Sequence, residues 1–259
     1  MTVATEIPVL PTGAALAPGY AVLEHLHRSL RLDTYHAWSE ERACGCVAKV
    51  LRPERSKDPG ERARLREEGE RLVALCHPHI VRGYELAAGP VVVMETLTGA
   101  TLAHLLDEQP DGLEAAEVAW LGRHLASALR YLHGRGLVHL DVKPANVVAE
   151  AGRAKLIDLS VAQPPGPCPA DCGTPGHQAP EQLDGGIAGP ATDAWALGAL
   201  LLEAATGLAP REVRVTRGRR LRRRLGEAAG EAVLACLRRD AARRPSLADL
   251  DAALAPLTG

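Results

Sequence analysis

The hydrophobic period of this chain changes once, near Thr96, and that change restricts the fold more than any single residue does. Before it lie short segments of strand character, 21–26 (AVLEHL), 34–38 (TYHAW), 44–51 (CGCVAKVL), 83–88 (GYELAA) and 90–95 (PVVVME), with one helix predicted between Glu61 and Cys76. After it, helices dominate. Val118, Leu121, Leu125, Ala128 and Leu132 recur at three- and four-residue steps, predicting a core-facing helix over 115–133 that Gly134 and Gly136 stop. Further helices fit 192–206, 227–239 and 246–256. Strands followed by helices imply an α+β fold. Pro8, Pro11, Gly13 and Pro18 predict a mobile or loosely docked tail over 1–18, with the fold starting at Gly19, and the proline-rich 163–170 reads as an extended loop.

The chain has 259 residues, 46% of them apolar, enough for a sizeable core. Its formal net charge of −2 gives no reason to expect nucleic acid or an anionic membrane as partner. The opening stretch has no basic leader and is broken by prolines, so neither a signal peptide nor a membrane anchor is expected. Six scattered cysteines are too few for a disulfide-dense domain and point to a reducing cytoplasm. Cys44–x–Cys46 and Cys168–x₃–Cys172 can be read as zinc ligands or as reduced, partly buried thiols, and neither pair has the usual knuckle spacing.

Two charges stand out of place. Leu65, Glu68, Leu72 and Leu75 follow helical steps, so Glu68 falls in an apolar stripe, where a buried carboxylate needs a cation. Lys49 shares a strand face with Val47 and Leu51 and can supply it. Farther along, HLDVKPANVV (139–148) and LIDLS (156–160) gather Asp141, Lys143, Asn146 and Asp158 between apolar segments. Two carboxylates, an amide and an ammonium suit metal-bound phosphate, with one carboxylate left to take a proton from an attacking hydroxyl.

From Gly19 onward the chain resembles the serine/threonine protein kinase family of bacterial type, on motifs that occur in the family's order. Lys49 and Glu68 match its strand lysine and helix glutamate, HPHIV (77–81) resembles HPNIV, and VVVMETLTGATL (91–102) looks like the hinge strand with Met94 as gatekeeper. GTPGHQAPE (173–181) resembles the end of the activation segment, and DAWALG brings Asp193 and Gly198 into register with the helix that anchors the second lobe. The resemblance implies a bilobal protein-kinase fold: a small antiparallel-sheet N-lobe with one helix (19–96) and a larger helical C-lobe (97–259). It implies ATP and Mg²⁺ as cofactors, Asp141 as catalytic base, Lys143 steadying the phosphoryl group, and Asn146 and Asp158 as metal ligands. Lys49 with Glu68 would hold the phosphates, and Val47, Met94, Glu95, Leu97 and Val148 the adenine. Protein substrates with serine or threonine acceptors follow from Lys143 and Thr174, and Glu181 is expected to pair with Arg244.

The chain also departs from the family. Counting back from Lys49 puts the three loop glycines at His27, Ser29 and Leu32, so the phosphate cradle loses its usual backbone donors, which His27, Arg28 or Arg31 could replace. Leu140 replaces the arginine of HRD, and between Asp158 and Glu181 the only hydroxyls are Ser160 and Thr174, which implies activity without phosphorylation of this segment. These losses keep open a catalytically weak pseudokinase acting as a scaffold. Lys143 and GTPGHQAPE argue against small-molecule kinases of the aminoglycoside type. The arginine-rich 211–225 reads as a solvated basic surface or as a docking patch for an acidic partner. His139 is expected to be a core residue.

Overall fold

The computed structural model describes residues 7–168, 172–208 and 215–259, with side chains omitted for 215–217. The chain forms two compact units, one running through Cys76 and including Val81–Leu97, the other comprising His77–Ile80 and Thr98–Gly259. No helix among the described residues is long and apolar enough to cross a membrane.

The first unit is a six-stranded antiparallel sheet with one helix on a face. Its strands are β1 (Ala15–Ala17), β2 (Tyr20–Arg28), β3 (Leu32–Ser39), β4 (Cys44–Leu51), β5 (Gly83–Ala87) and β6 (Val91–Glu95), in the order β1-β2-β3-β4-β6-β5. Helix α1 (Pro59–Ala74) starts where Asp58 accepts from the N–H groups of Gly60 and Glu61 and Pro59 sets the first helical residue. Gly69 faces Leu86 and Val92, and a Cβ there would lie 2.8 Å from Leu86 Cδ1, so the helix sits close on the sheet. The opposite sheet face buries Ala37, Cys46, Ala48 and Val93 against Tyr20 and Ala17. The face of Val47, Lys49 and Leu51 is therefore one of two packed faces, and Cys46 and Ala48 on the other are the more deeply buried.

The expectation of a mobile tail is corrected for residues 7–18; residues 1–6 lie outside the described residues. Arg28 Nη1 donates to Ile7 O (2.8 Å), the Leu10 N–H to the Tyr35 hydroxyl (3.0 Å) and the Gly13 N–H to Val22 O (2.8 Å). Ala15–Ala17 then pairs with β2 as an edge strand. Proline excludes a helix here but not extended backbone paired on one side.

In the second unit, α2 (Leu102–Glu108), α3 (Ala115–His133), α4 (Pro180–Leu183), α5 (Pro190–Thr206), α6 (Val215–Leu225), α7 (Glu227–Cys236) and α8 (Leu247–Leu254) accompany two small antiparallel ribbons. These are β7 (Val147–Glu150) with β8 (Arg153–Leu156), and β9 (Gly166–Pro167) with β10 (Ile187–Ala188). Helix α5 is apolar on nearly every side and runs through the middle of the core. It ends at Gly207, whose φ of 67° closes it in the left-handed region and where a Cβ would lie 2.0 Å from Pro110 O. The segment His77–Ile80, read from sequence with the first part, belongs to this unit: His79 O accepts from the Leu156 N–H at 3.0 Å and Ile80 bridges Leu156.

That segment brings histidines together. The His79 and His124 rings stack at 4.1 Å between centroids, with His77 beside His79 and Trp120 beside His124. Burial, with the neighbouring histidine and arginine charges, lowers His124 to about 4, and burial lowers His77 and His79 as well. The folded rings thus stay neutral at pH values where the unfolded chain binds protons, so this stabilisation is complete above about 6.5 and is lost as pH falls toward the folded values. Urea midpoints should fall from pH 7 to pH 5, and His124→Gln should make that fall shallower; an unchanged slope would mean that His124 does not titrate as its burial requires.

Candidate active site

In the first unit, strand period and helix period deliver two charges to one point. Lys49 on β4 and Glu68 on α1 meet with Nζ 2.8 Å from Oε1, and Glu68 is 3% exposed. Val47 lies across from Met94 in the β4–β6 register, so the two side chains share a face beside that pair. Glu95 turns its carboxylate toward the Arg82 N–H (2.9 Å), and Leu97 closes the unit, half-buried.

The β2–β3 hairpin, where resemblance places a glycine loop, is built differently. Asp33 is 1% exposed and receives a two-pronged hydrogen bond from Arg28 at 2.7 and 2.9 Å, with His25 Nε2 at 3.1 Å. Burial alone would raise its carboxyl, but the hydrogen bonds and charges of Arg28 and His25 outweigh burial and hold it below the ordinary range. The Ser29 hydroxyl caps the turn by accepting from the Leu32 N–H (2.9 Å). Arg52 and Arg55 donate to the carbonyls of Ser29 and Leu30, and Arg31 Nε reaches Glu61 Oε2 on α1 at 2.5 Å. Arg28 and Arg31, candidates for replacing the missing phosphate donors, are thus engaged with carboxylates, while His27 is exposed. Asp33 carried a sequence signal: it shares the period of Tyr35 and Ala37 and so had to be buried with them.

In the second unit the site grows from Asp193. This fully buried carboxylate on α5 accepts from the N–H groups of His139 and Leu140, each at 2.9 Å, and faces His133 Nε2 at 2.8 Å. Leu140 has φ 68°, a left-handed conformation costing about 1–2 kcal/mol for a residue with a Cβ, and these bonds hold it there. His139 is fully buried.

Next in sequence, Asp141 is framed on every side. Asn146 Nδ2 donates to its carbonyl (2.9 Å) and to Oδ2 (3.0 Å), Lys143 Nζ lies 2.7 Å from Oδ2, and the Thr174 hydroxyl donates to Oδ1 at 2.7 Å. Lys143 Nζ also donates to Thr174 Oγ1 at 2.6 Å, closing a triangle. Val148 lies on β7, buried, beside Thr101. Asp158 Oδ1 accepts from the Ser160 N–H (3.0 Å). Among the described residues no group of three or more His, Cys, Asp or Glu could hold a metal, so the cysteine-zinc reading has no site there.

Glu181 and Arg244 pair in fork geometry at 2.6 and 2.8 Å, with the Arg244 side chain fully buried. Burial would raise the Glu181 carboxyl, but hydrogen bonds from Arg244, backbone and Thr192, with the charge of Arg244, keep it low. Gln182, which sequence reasoning missed, donates from Nε2 to the carbonyls of Leu140 (3.0 Å) and Cys172 (3.2 Å). Of the arginine-rich 211–225, residues 211–214 lie outside the described residues. Arg220, Arg222 and Arg224 pair with Asp111, Glu231 and Glu114, leaving Arg219 and Arg223 exposed.

A protein kinase domain profile matches residues 33–251. The serine/threonine-protein kinase PknB of Mycobacterium leprae is 33% identical over 202 residues, covering 72% of this chain and 30% of that protein. PknB of Mycobacterium tuberculosis H37Rv is 32% identical over 201 residues, with the same coverages of 72% and 30%. The chain thus spans about 30% of the length of these relatives. In structure, the Mycobacterium tuberculosis PknI kinase domain aligns with a TM-score of 0.78 at 26% identity over 97% of this chain and 100% of that one.

The Arg31–Glu61 contact should tie the hairpin tip to the start of α1. An ion pair this exposed contributes about 0.2–1 kcal/mol, so Arg31→Ala should leave global stability nearly unchanged. Hydrogen exchange by mass spectrometry should instead quicken at 29–32 and in the first turn of α1; unchanged exchange at both places would remove the tie.

Proposed function

The chain belongs to the protein kinase family, and from that premise we propose that it transfers the γ-phosphoryl group of ATP to serine or threonine hydroxyls of protein substrates. One observation carries the reading: the triangle of Asp141, Lys143 and Thr174, in which a hydroxyl already donates to the carboxylate at 2.7 Å beside an ammonium. A substrate hydroxyl presented to Asp141 gives up its proton to that carboxylate as it attacks. Lys143, next to the same oxygens, balances negative charge on the phosphoryl group in flight.

Asn146 and Asp158 offer oxygen ligands that suit a hard divalent cation such as Mg²⁺. The Asn146 amide nitrogen is directed at Asp141, which turns its amide oxygen toward a ligand. Lys49, fixed by Glu68, contacts the phosphates, and Val47, Met94, Glu95, Leu97 and Val148 receive the adenine. ATP with its cation, once bound, supplies the transferable group; the chain's own residues position it and hold the proton. Arg219 and Arg223 are left to meet an acidic partner, a smaller patch than eight arginines suggested. Free cysteines, Cys76 among them exposed, support a reducing cytoplasm.

Incubation with labelled ATP, Mg²⁺ and a generic basic protein tests this reading. Wild type should transfer label, Asp141→Asn should lose about 10²–10⁴-fold, and Lys49→Met should also lose severely. Equal transfer by wild type and Asp141→Asn would refute the assignment of the base. No transfer by wild type would leave the scaffold reading in its place.

A further inference from the structure

The segment after Asp158 has little to phosphorylate, and Leu140 stands where the family carries a phosphate-receiving arginine. It does carry two thiols. Cys172 is buried with Val138, Leu140 and Ala188, and Cys168 packs against the same cluster beside Val161. The Cys168 N–H donates to Gly186 O at 3.0 Å, and Cys172 O accepts from Gln178 Nε2 at 2.9 Å and Gln182 Nε2 at 3.2 Å, so neighbours hold the backbone under each sulfur. Both thiols are free, and they lie close enough to act on each other's titration. Cys46 and Cys236 have no such companion in their surroundings: Cys46 donates to Ala37 O, Cys236 to Ala232 O.

We propose that Cys168 and Cys172 are a modification site that closes into a reversible disulfide, and that closure displaces 172–174 and slows phosphoryl transfer. The oxidant is a small-molecule disulfide such as oxidised glutathione. One protein thiolate attacks it and releases a glutathione thiol; the second attacks the mixed disulfide and releases another. One S–S bond breaks, one forms, and the two protons end on the two glutathione thiols. Burial pushes Cys172 up to about 12 and raises Cys168, so both are protonated at neutral pH and exchange is slow. The same burial denies the reduced pair a stabilised thiolate, which favours the disulfide at equilibrium. Cys172 adjoins Gly173, in the left-handed region at φ 87°, and then Thr174, whose hydroxyl donates to Asp141. Gln182 links the carbonyls of Cys172 and Leu140, so movement of Cys172 reaches both neighbours of the base. The effect on turnover rests on the kinase reading; the disulfide itself does not.

The full chain is equilibrated across glutathione redox ratios, its remaining thiols are alkylated under denaturing conditions, and its peptides are mapped by mass. The peptide spanning 168–172 should appear two hydrogens lighter in one reversible two-electron transition, with the other four cysteines alkylated. Amide exchange at 172–174 should rise in the oxidised protein, and label transfer should fall several-fold and recover with dithiothreitol. Cys168→Ser should abolish the disulfide and both responses while keeping the activity of the reduced protein. Alkylation of both cysteines at the most oxidising ratio, or their capture only by glutathione or a second chain, would overturn the proposal. A disulfide that leaves exchange at 172–174 and label transfer unchanged would overturn its coupling. Absence of label transfer from reduced wild type defeats the kinase reading instead, and mapping and exchange then decide the disulfide.

Discussion

The second unit depends on one buried carboxylate. Asp193 is out of contact with water, a costly place for a charge, and it is stabilised there by two backbone N–H groups and an imidazole. Those two N–H groups belong to His139 and Leu140, so the same bonds that satisfy the charge hold Leu140 in its left-handed turn. The turn aims Asp141, and Asn146, Lys143 and Thr174 then converge on it. Gln182 carries the constraint to the segment after Asp158, and Glu181, next to it, is anchored by Arg244. The site thus hangs from a helix that is itself the core of its unit.

Both departures from the family exchange a polar device for a different physical one. Where glycines would present backbone donors, the hairpin has a buried Asp33 gripped by Arg28, and its tip carbonyls are taken up by Arg52 and Arg55. Flexibility at that position has been replaced by a hydrogen-bonded turn. Where an arginine would receive a phosphate, Leu140 packs with Val138, Cys172 and Ala188. Apolar burial and the Gln182 amide hold the segment there, and neither requires a phosphorylated residue.

The sequence was legible where a residue violated its own local pattern. Glu68 in an apolar helix stripe and Lys49 on a packed strand face announced each other, and they meet at 2.8 Å. The regular spacing from Val118 to Leu132 located α3 to the residue. Glu181 and Arg244 were paired through resemblance, not through any pattern of their own. What stayed hidden was mostly hydrogen bonding between distant positions: Gln182 to Leu140, Arg31 to Glu61, and residues 7–18 to β2 and β3. Such bonds leave no period in the sequence. The arginines of α6 misled for a related reason, since composition shows a charge but not the carboxylate that Arg220, Arg222 or Arg224 meets in the fold.

If Asp193 sets the pose of the base, weakening it should slow chemistry before it alters nucleotide binding, because Lys49 and Glu68 lie in the other unit. Asp193→Asn keeps the shape but replaces one acceptor oxygen with a donor facing a backbone N–H. Steady-state kinetics of phosphoryl transfer on a variant with wild-type circular dichroism is the direct measurement. A large fall in kcat with the KM for ATP little changed is the predicted result; a folded variant with wild-type kcat would contradict the account.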